Sequence, residues 1–233
     1  MAGSPPGRRV LHGRRRGRKL RAGLSRLVED KLPALTVTLP PIGQRLDPAA
    51  AFGSLPIDDL WLEIGFGAGE HLAWQARMHP RVGLIGCEPF LNGIASLLRA
   101  IDTDGLDRIR IYPDDARNLL DALPDASVGR CFLLFSDPWP KRRHRARRLI
   151  GPGTADTLAR VLRPGADLRI ASDDRGLLDW TLWHLRPHPA FHWTARRPSD
   201  FLTRPADWPP TRYEEKAIRG RPAYLTFVRR SDT

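Results

Sequence analysis

The chain has 233 residues, 41% of them hydrophobic, and a formal net charge of +12. That length and apolar share suffice for the core of one α/β domain. No run approaches the roughly 18 apolar residues that cross a bilayer, and the arginine-rich amino terminus lacks the apolar stretch of a secretory signal, so a soluble, cytoplasmic protein without a membrane partner is predicted. The basic excess is local: residues 1–21 carry eight Lys or Arg and no acid, and residues 137–148 carry six against Asp137 alone. Together these clusters exceed the charge of the whole chain, which predicts a polyanion held through its phosphates. A run of like charge is also what a solvated tail looks like.

In chain order, residues 1–25 form a basic, Gly-rich arm, residues 26–59 a Pro-punctuated lead-in, and residues 60–233 the folded domain. Short apolar runs then alternate with amphipathic ones. Strands are predicted at 60–64, 82–87, 108–112, 130–135 and 166–171. Helices are predicted at about 69–79, 90–101, 115–122, 153–163 and 174–185, and a closing strand at 222–230. Strands alternating with helices at this rhythm predict βαβ units, hence a mostly parallel sheet with helices on both faces. Cys87 and Cys131 lack CxxC spacing and read as packed, reduced thiols. His184, His188 and His192 are spaced by four, but Pro187 and Pro189 break any helix that would align them, so no metal site is expected.

The first strand runs into Glu63-Ile-Gly65-Phe-Gly67-Ala-Gly69-Glu70. Glycines at a strand-to-helix turn permit positive φ and close ligand approach, beside the unpaired N–H groups of the helix. Steric need for a tight turn would also account for them. The second strand ends in Glu88, a carboxylate suited to a ribose diol. The GxGxG spacing, with an acid two residues earlier, differs from the GxGxxG of dinucleotide pyrophosphates and suits a cationic amino-acid moiety such as that of S-adenosylmethionine. After the third strand, Asp114 and Asp115 offer a contact to an adenine amino group or, equally, a helix cap.

The fourth strand is stopped by Pro138 and Pro140, which places Asp137 at its carboxyl end, the edge where open α/β sheets bind ligands. Asp137-Pro-Trp-Pro-Lys-Arg-Arg-His-Arg-Ala-Arg-Arg148 then sets a candidate reaction centre beside a cationic run. Trp139 is placed to stack on a base or to pack in the core. Asp173, after the fifth strand, is a candidate ligand or the cap of the following helix. Glu214 and Glu215 have surface pairs with Arg212 or Lys216 as their ordinary alternative.

Glu63-Ile-Gly-Phe-Gly-Ala-Gly69, Asp137-Pro-Trp-Pro-Lys141 with its basic run, Ser172-Asp173, and Thr211-Arg-Tyr-Glu-Glu-Lys216, in that order over about residues 60–230, resemble the bacterial tRNA (guanine-N7)-methyltransferase family. One departure is Ala146, where a further basic residue is common. The resemblance implies a Rossmann-like class I S-adenosylmethionine-dependent methyltransferase that modifies a guanine in the tRNA variable region, position 46. It places Glu63, Gly65, Gly67, Gly69, Glu88, Asp115 and Asp137 at the cofactor, with Asp137 also catalytic. It places Lys141, Asp173, Thr211, Arg212, Tyr213 and Glu214 at the substrate, and Arg142, Arg143, Arg145, Arg147 and Arg148 are expected on tRNA phosphates. An amino-methylating enzyme is disfavoured because Trp139 follows Pro138 directly, and a nicotinamide oxidoreductase by the glycine spacing. A non-catalytic RNA-binding protein would leave the carboxylates at successive strand ends unexplained.

Overall fold

The computed structural model describes residues 13–216 and 219–231; the side chains of Tyr213 and Lys216 lie outside that description. In chain order the elements are α1 (Ala22–Leu35), β1 (Asp59–Ile64), α2 (Glu70–Met78), β2 (Val82–Cys87), α3 (Leu91–Asp104), β3 (Ile109–Tyr112) and α4 (Ala116–Ala122). There follow β4 (Val128–Leu134), α5 (Pro152–Val161), β5 (Leu162–Ser172), α6 (Arg175–Leu185), β6 (Phe191–Trp193), α7 (Ser199–Leu202), α8 (Arg212–Lys216) and β7 (Ala223–Arg229). Short 3-10 turns occupy Ala50–Phe52 and Arg142–Arg147.

The strands form one sheet in the order β3-β2-β1-β4-β5-β7-β6, parallel except where β7 runs antiparallel to β5 and β6. Side chains alternate across it as the pleat requires. Leu60, Leu62 and Ile64 of β1 join one core with Leu119 of α4, Leu158 of α5 and Leu185 of α6. Trp61 faces the other core, with Leu72 of α2 and Ile94 and Leu97 of α3. With both faces covered, the strands can be apolar throughout. Because β1 is flanked by β2 and β4, the chain reverses its direction of winding there, and a crevice opens beyond the carboxyl ends of these strands.

Three differences from the sequence reading have physical causes. Helix α1 crosses the expected boundary between arm and lead-in, starting at Ala22, and its Val28, Leu32 and Leu35 pack on the α3 side of the sheet. Pro33 reads as a helix breaker, yet the Glu29 carbonyl it leaves without a donor lies on an exposed residue, where water can replace the bond. β4 stops at Leu134 rather than residue 135 because Phe135 turns to φ +50°, although its N–H still donates to the Ala171 carbonyl. β5 begins at Leu162, which pairs with Val128 before a register shift, whereas Asp167 pairs with Arg130. No helix among the described residues is long and apolar enough to cross a membrane. Both cysteines are buried, which pushes their thiols above the ordinary range.

Helix α3 crosses directly over the glycine turn. A Cβ on Gly93 would stand 2.1 Å from the Gly67 carbonyl oxygen, a backbone atom. Alanine in a helix interior gains about 0.5–1 kcal/mol over glycine, but overpacking against backbone costs about 1–3 kcal/mol. Gly93→Ala is therefore expected to lower the melting temperature, by about 2–4 °C per kcal/mol in a chain of this size. A melt at or above that of the parent would show that the contact relaxes freely.

Candidate active site

The turn after β1 carries Gly65, Gly67 and Gly69 at φ values of 75°, 57° and 80°, and Gly69 caps α2. Side chains rarely tolerate these angles. Glu88, the residue after β2, closes the turn from the neighbouring strand: its carboxylate accepts from the Gly67 N–H at 2.8 Å and the Phe90 N–H at 3.0 Å. Glu63 is 2% exposed, and its Oε2 lies 2.7 Å from His71 Nδ1. Burial is the largest influence on Glu88 and raises its pKa; Asp137 and Glu63 add to the rise, while the two backbone donors oppose it.

A cavity of about 170 Å³ lies beyond these strand ends, lined among others by Gly65, Asp114, Asp115, Asp137, Trp139 and Arg147. Asp115 is the N-cap of α4: it accepts from the Arg117 N–H at 3.0 Å and holds the Arg117 guanidinium at 2.9 and 2.6 Å. The cap and the cavity wall are thus one residue. Asp114 pairs with Arg15 of the basic arm at 2.8 Å. The arm is also tied to the start of α3, with Gly17 N–H donating to Asn92 and Asn92 donating to the Arg18 carbonyl, both at 2.8 Å. Asp137 is exposed and, among the described residues, bonded to no other side chain.

The segment after Asp137 is held in an uncommon shape, with Trp139 at φ +42°. The Arg147 guanidinium lies 4.9 Å from the Trp139 ring centroid, so Trp139 is neither a core residue nor a bare face. Arg148 corrects the expectation of a phosphate contact. It is 7% exposed, donates to the Pro138 carbonyl at 2.8 Å and the Gly176 carbonyl at 3.2 Å, and so braces the loop from inside. Lys141, Arg142, Arg143 and Arg145 remain exposed.

The segment expected at the substrate packs against the start of α2. Thr211 starts α8, its Oγ1 accepting from the Glu214 N–H at 3.3 Å. Arg212 donates through its backbone N–H and Nε to Glu70 at 3.0 and 2.8 Å. This places Thr211 against the glycine turn, where it lines a narrow gap with Glu63, Gly65 and Phe135. Glu214 accepts from the Tyr224 hydroxyl at 2.5 Å and pairs with Arg204 at 3.3 Å. Burial, followed by that carboxylate, pushes the Tyr224 hydroxyl well above its ordinary range. The cap of α6 is Asp174, which accepts from the Leu177 N–H at 2.8 Å. Asp173 is left facing outward, accepting from the Arg219 N–H at 3.0 Å. Among the described residues no group of three or more His, Cys, Asp or Glu is placed to hold a metal ion; His188 instead pairs with Asp156 at 3.0 Å.

A family model described as "Putative methyltransferase" matches residues 58–225. The chain is 54% identical to the tRNA (guanine-N(7)-)-methyltransferase of Rhodospirillum rubrum, over 94% of this chain and 88% of that protein. It is 51% identical to the protein of the same name from Paramagnetospirillum magneticum, over 94% and 92%. The chain belongs to the tRNA (guanine-N(7)-)-methyltransferase family. Among solved structures, the 16S rRNA methyltransferase KamB aligns with a TM-score of 0.54 at 16% identity, covering 81% of this chain and 95% of that one. The aminoglycoside resistance methyltransferase NpmB1 aligns at 0.52 and 12% identity, over 79% and 94%. At those identities they establish the Rossmann-like class I methyltransferase fold and nothing finer.

The residues present fit a ligand with a ribose and a cationic amino-acid group. Each Glu88 oxygen keeps a lone pair after bonding one backbone N–H, Glu63 is a buried carboxylate beside the turn, and the space where a Gly65 side chain would stand is open. Sequence reasoning missed His71, Gln75, Tyr224 and Arg204. Its one usable signal was a polar pair, His71 and Gln75, at i and i+4 on a helix face otherwise made of Leu72, Ala73 and Ala76. Because burial raises the Glu88 pKa, Glu88 takes up a proton at higher pH than an ordinary carboxylate and then loses acceptor capacity. Affinity for S-adenosylmethionine, measured by titration calorimetry, should therefore fall as pH drops through a value above the usual carboxylate range. Glu88→Gln should flatten that part of the profile.

Proposed function

We propose that this chain transfers the methyl group of S-adenosyl-L-methionine to N7 of a guanine in the variable region of tRNA, position 46, in the cytoplasm. The observation that carries this is the set of carboxylates at the carboxyl edge of the sheet: Asp115 and Asp137 line one cavity beside Gly65, Glu63 lines a gap on Gly65 with Thr211, and exposed arginines follow Asp137 in the chain. S-adenosyl-L-methionine brings a methyl group on a cationic sulfur, released to the N7 lone pair as the sulfur becomes a neutral thioether and the base becomes cationic.

N7 already carries its lone pair, so no residue has to remove a proton. Asp137, exposed at the mouth of the crevice, acts by positioning and by favouring the positive charge that builds on the base. Asp173 and Glu214, acceptors only, match the guanine N1–H and amino group, the donors on that edge. Tyr224 and Arg204 hold the Glu214 carboxylate from the protein side. Lys141 reaches a phosphate or the guanine oxygen. Arg142, Arg143, Arg145 and Arg147 take phosphates, and the arm around Arg15 extends this surface on the other lip.

The reading is tested by incubating the protein with S-adenosylmethionine and unmodified tRNA transcripts, then digesting the RNA and analysing nucleosides by mass spectrometry. The expected product is 7-methylguanosine mapping to the variable region; another methylated base, or another location, contradicts it. Asp137→Asn should slow single-turnover transfer by about 10²-fold, the usual loss when a charge-stabilising group is removed. A full rate would overturn the charge role of Asp137.

A further inference from the structure

Glu63 is the start of a buried chain of polar groups that leads away from the cofactor crevice. His71, 2% exposed, meets Glu63 Oε2 through Nδ1 at 2.7 Å and Gln75 Nε2 through its own Nε2 at 3.0 Å. The same Gln75 amide nitrogen donates to the Asp207 carbonyl at 3.2 Å. A backbone carbonyl can only accept, so the Gln75 NH₂ group must face it. Its second hydrogen then points at His71 Nε2, which accepts, and the imidazole hydrogen sits on Nδ1 and is donated to Glu63. In that tautomer His71 is uncharged. It orients the Glu63 carboxylate without cancelling its charge.

The far end of the chain is equally fixed. Trp208 is buried, with its ring edge-on to His71 at 5.9 Å and to Tyr224 at 5.6 Å between centroids. The Asp207 side chain is held by Arg169 at 2.6 Å. Four residues further on begins the segment 211–214.

We propose that His71 is a positioning residue for methyl transfer, orienting Glu63 toward the cofactor through Nδ1 and, through Gln75, anchoring the Asp207 loop that carries residues 211–214. The inference rests on the proposed placement of Glu63 at the cofactor and of residues 211–214 at the guanine. His71 acts through Glu63, which it meets directly, and through Gln75; it stands at the back of the gap that Glu63 and Thr211 line.

The test compares four full-length variants by S-adenosylmethionine titration, steady-state kinetics on tRNA, and thermal melting. His71→Leu should weaken cofactor binding by about 10-fold or more, the loss typical of a hydrogen bond to a charged group. His71→Asn, whose amide N–H occupies the Nδ1 position, should restore cofactor binding but keep a raised KM for tRNA. Gln75→Met, equal in length and without donors, should leave cofactor affinity unchanged and raise the tRNA KM. Glu63→Gln separates the two layers: unchanged cofactor affinity there would remove the placement of Glu63 itself. Weakened binding in Glu63→Gln with parental binding in a folded His71→Leu protein overturns the role of His71. If His71→Leu does not fold, parental tRNA KM in both His71→Asn and Gln75→Met overturns it.

Discussion

The structure depends on how the turn between β1 and α2 is clasped. Gly67 is gripped at both ends of its peptide units: its N–H donates to Glu88, and its carbonyl lies under Gly93 of α3, too near for any side chain there. This double constraint fixes the turn to β2 and α3 at once. It follows that Glu63 and Glu88 keep a constant spacing across the crevice, which is what a cofactor with two polar ends requires. Burial of those carboxylates is unfavourable alone; it is tolerated here because every one of them is met by backbone N–H groups or by His71.

Charge is segregated by depth. Acids line the cavities at the carboxyl ends of the strands, Asp114, Asp115 and Asp137 in one and Glu63 in the gap beside it, where the proposed function sets a cationic cofactor. Exposed arginines stand on the arm at one side and on the turn after Trp139 at the other, where the proposed function sets phosphates. Arg148 and Arg15 show how these segments are attached: one is driven inward to brace the Pro138 carbonyl, the other reaches Asp114 at the mouth of the cavity. A basic cluster is therefore not uniformly a phosphate grip, because some of its members hold the rest in place.

The parallel sheet, the glycine turn and the strand-end positions of Glu63, Glu88 and Asp137 were legible because they rest on local signals: short apolar runs alternating with amphipathic ones, glycine, and prolines that end a strand. Helix α1 was not, since Pro33 contradicts it locally and its support comes from packing on α3 and β3. The three-residue strand β6 is too short to carry a period. Asp115 read ambiguously as a cap or a ligand contact because it is both a cap and part of the cavity wall. The partners of Glu214 were out of reach, since Tyr224 arrives through the antiparallel docking of β7 on β5 and Arg204 from the segment after α7, with no local trace of either. His71 and Gln75 left a weak trace as polar residues on an apolar helix face.

The most direct test of the account uses a tRNA transcript in which the methylated guanosine is replaced by 7-deazaguanosine. That change removes the N7 lone pair while keeping the N1–H, the amino group and every phosphate. The account predicts RNA bound as tightly as the parent transcript and no methyl transferred to it. Methyl transfer to the deaza base at any other atom would contradict it, because the nucleophile would then not be N7.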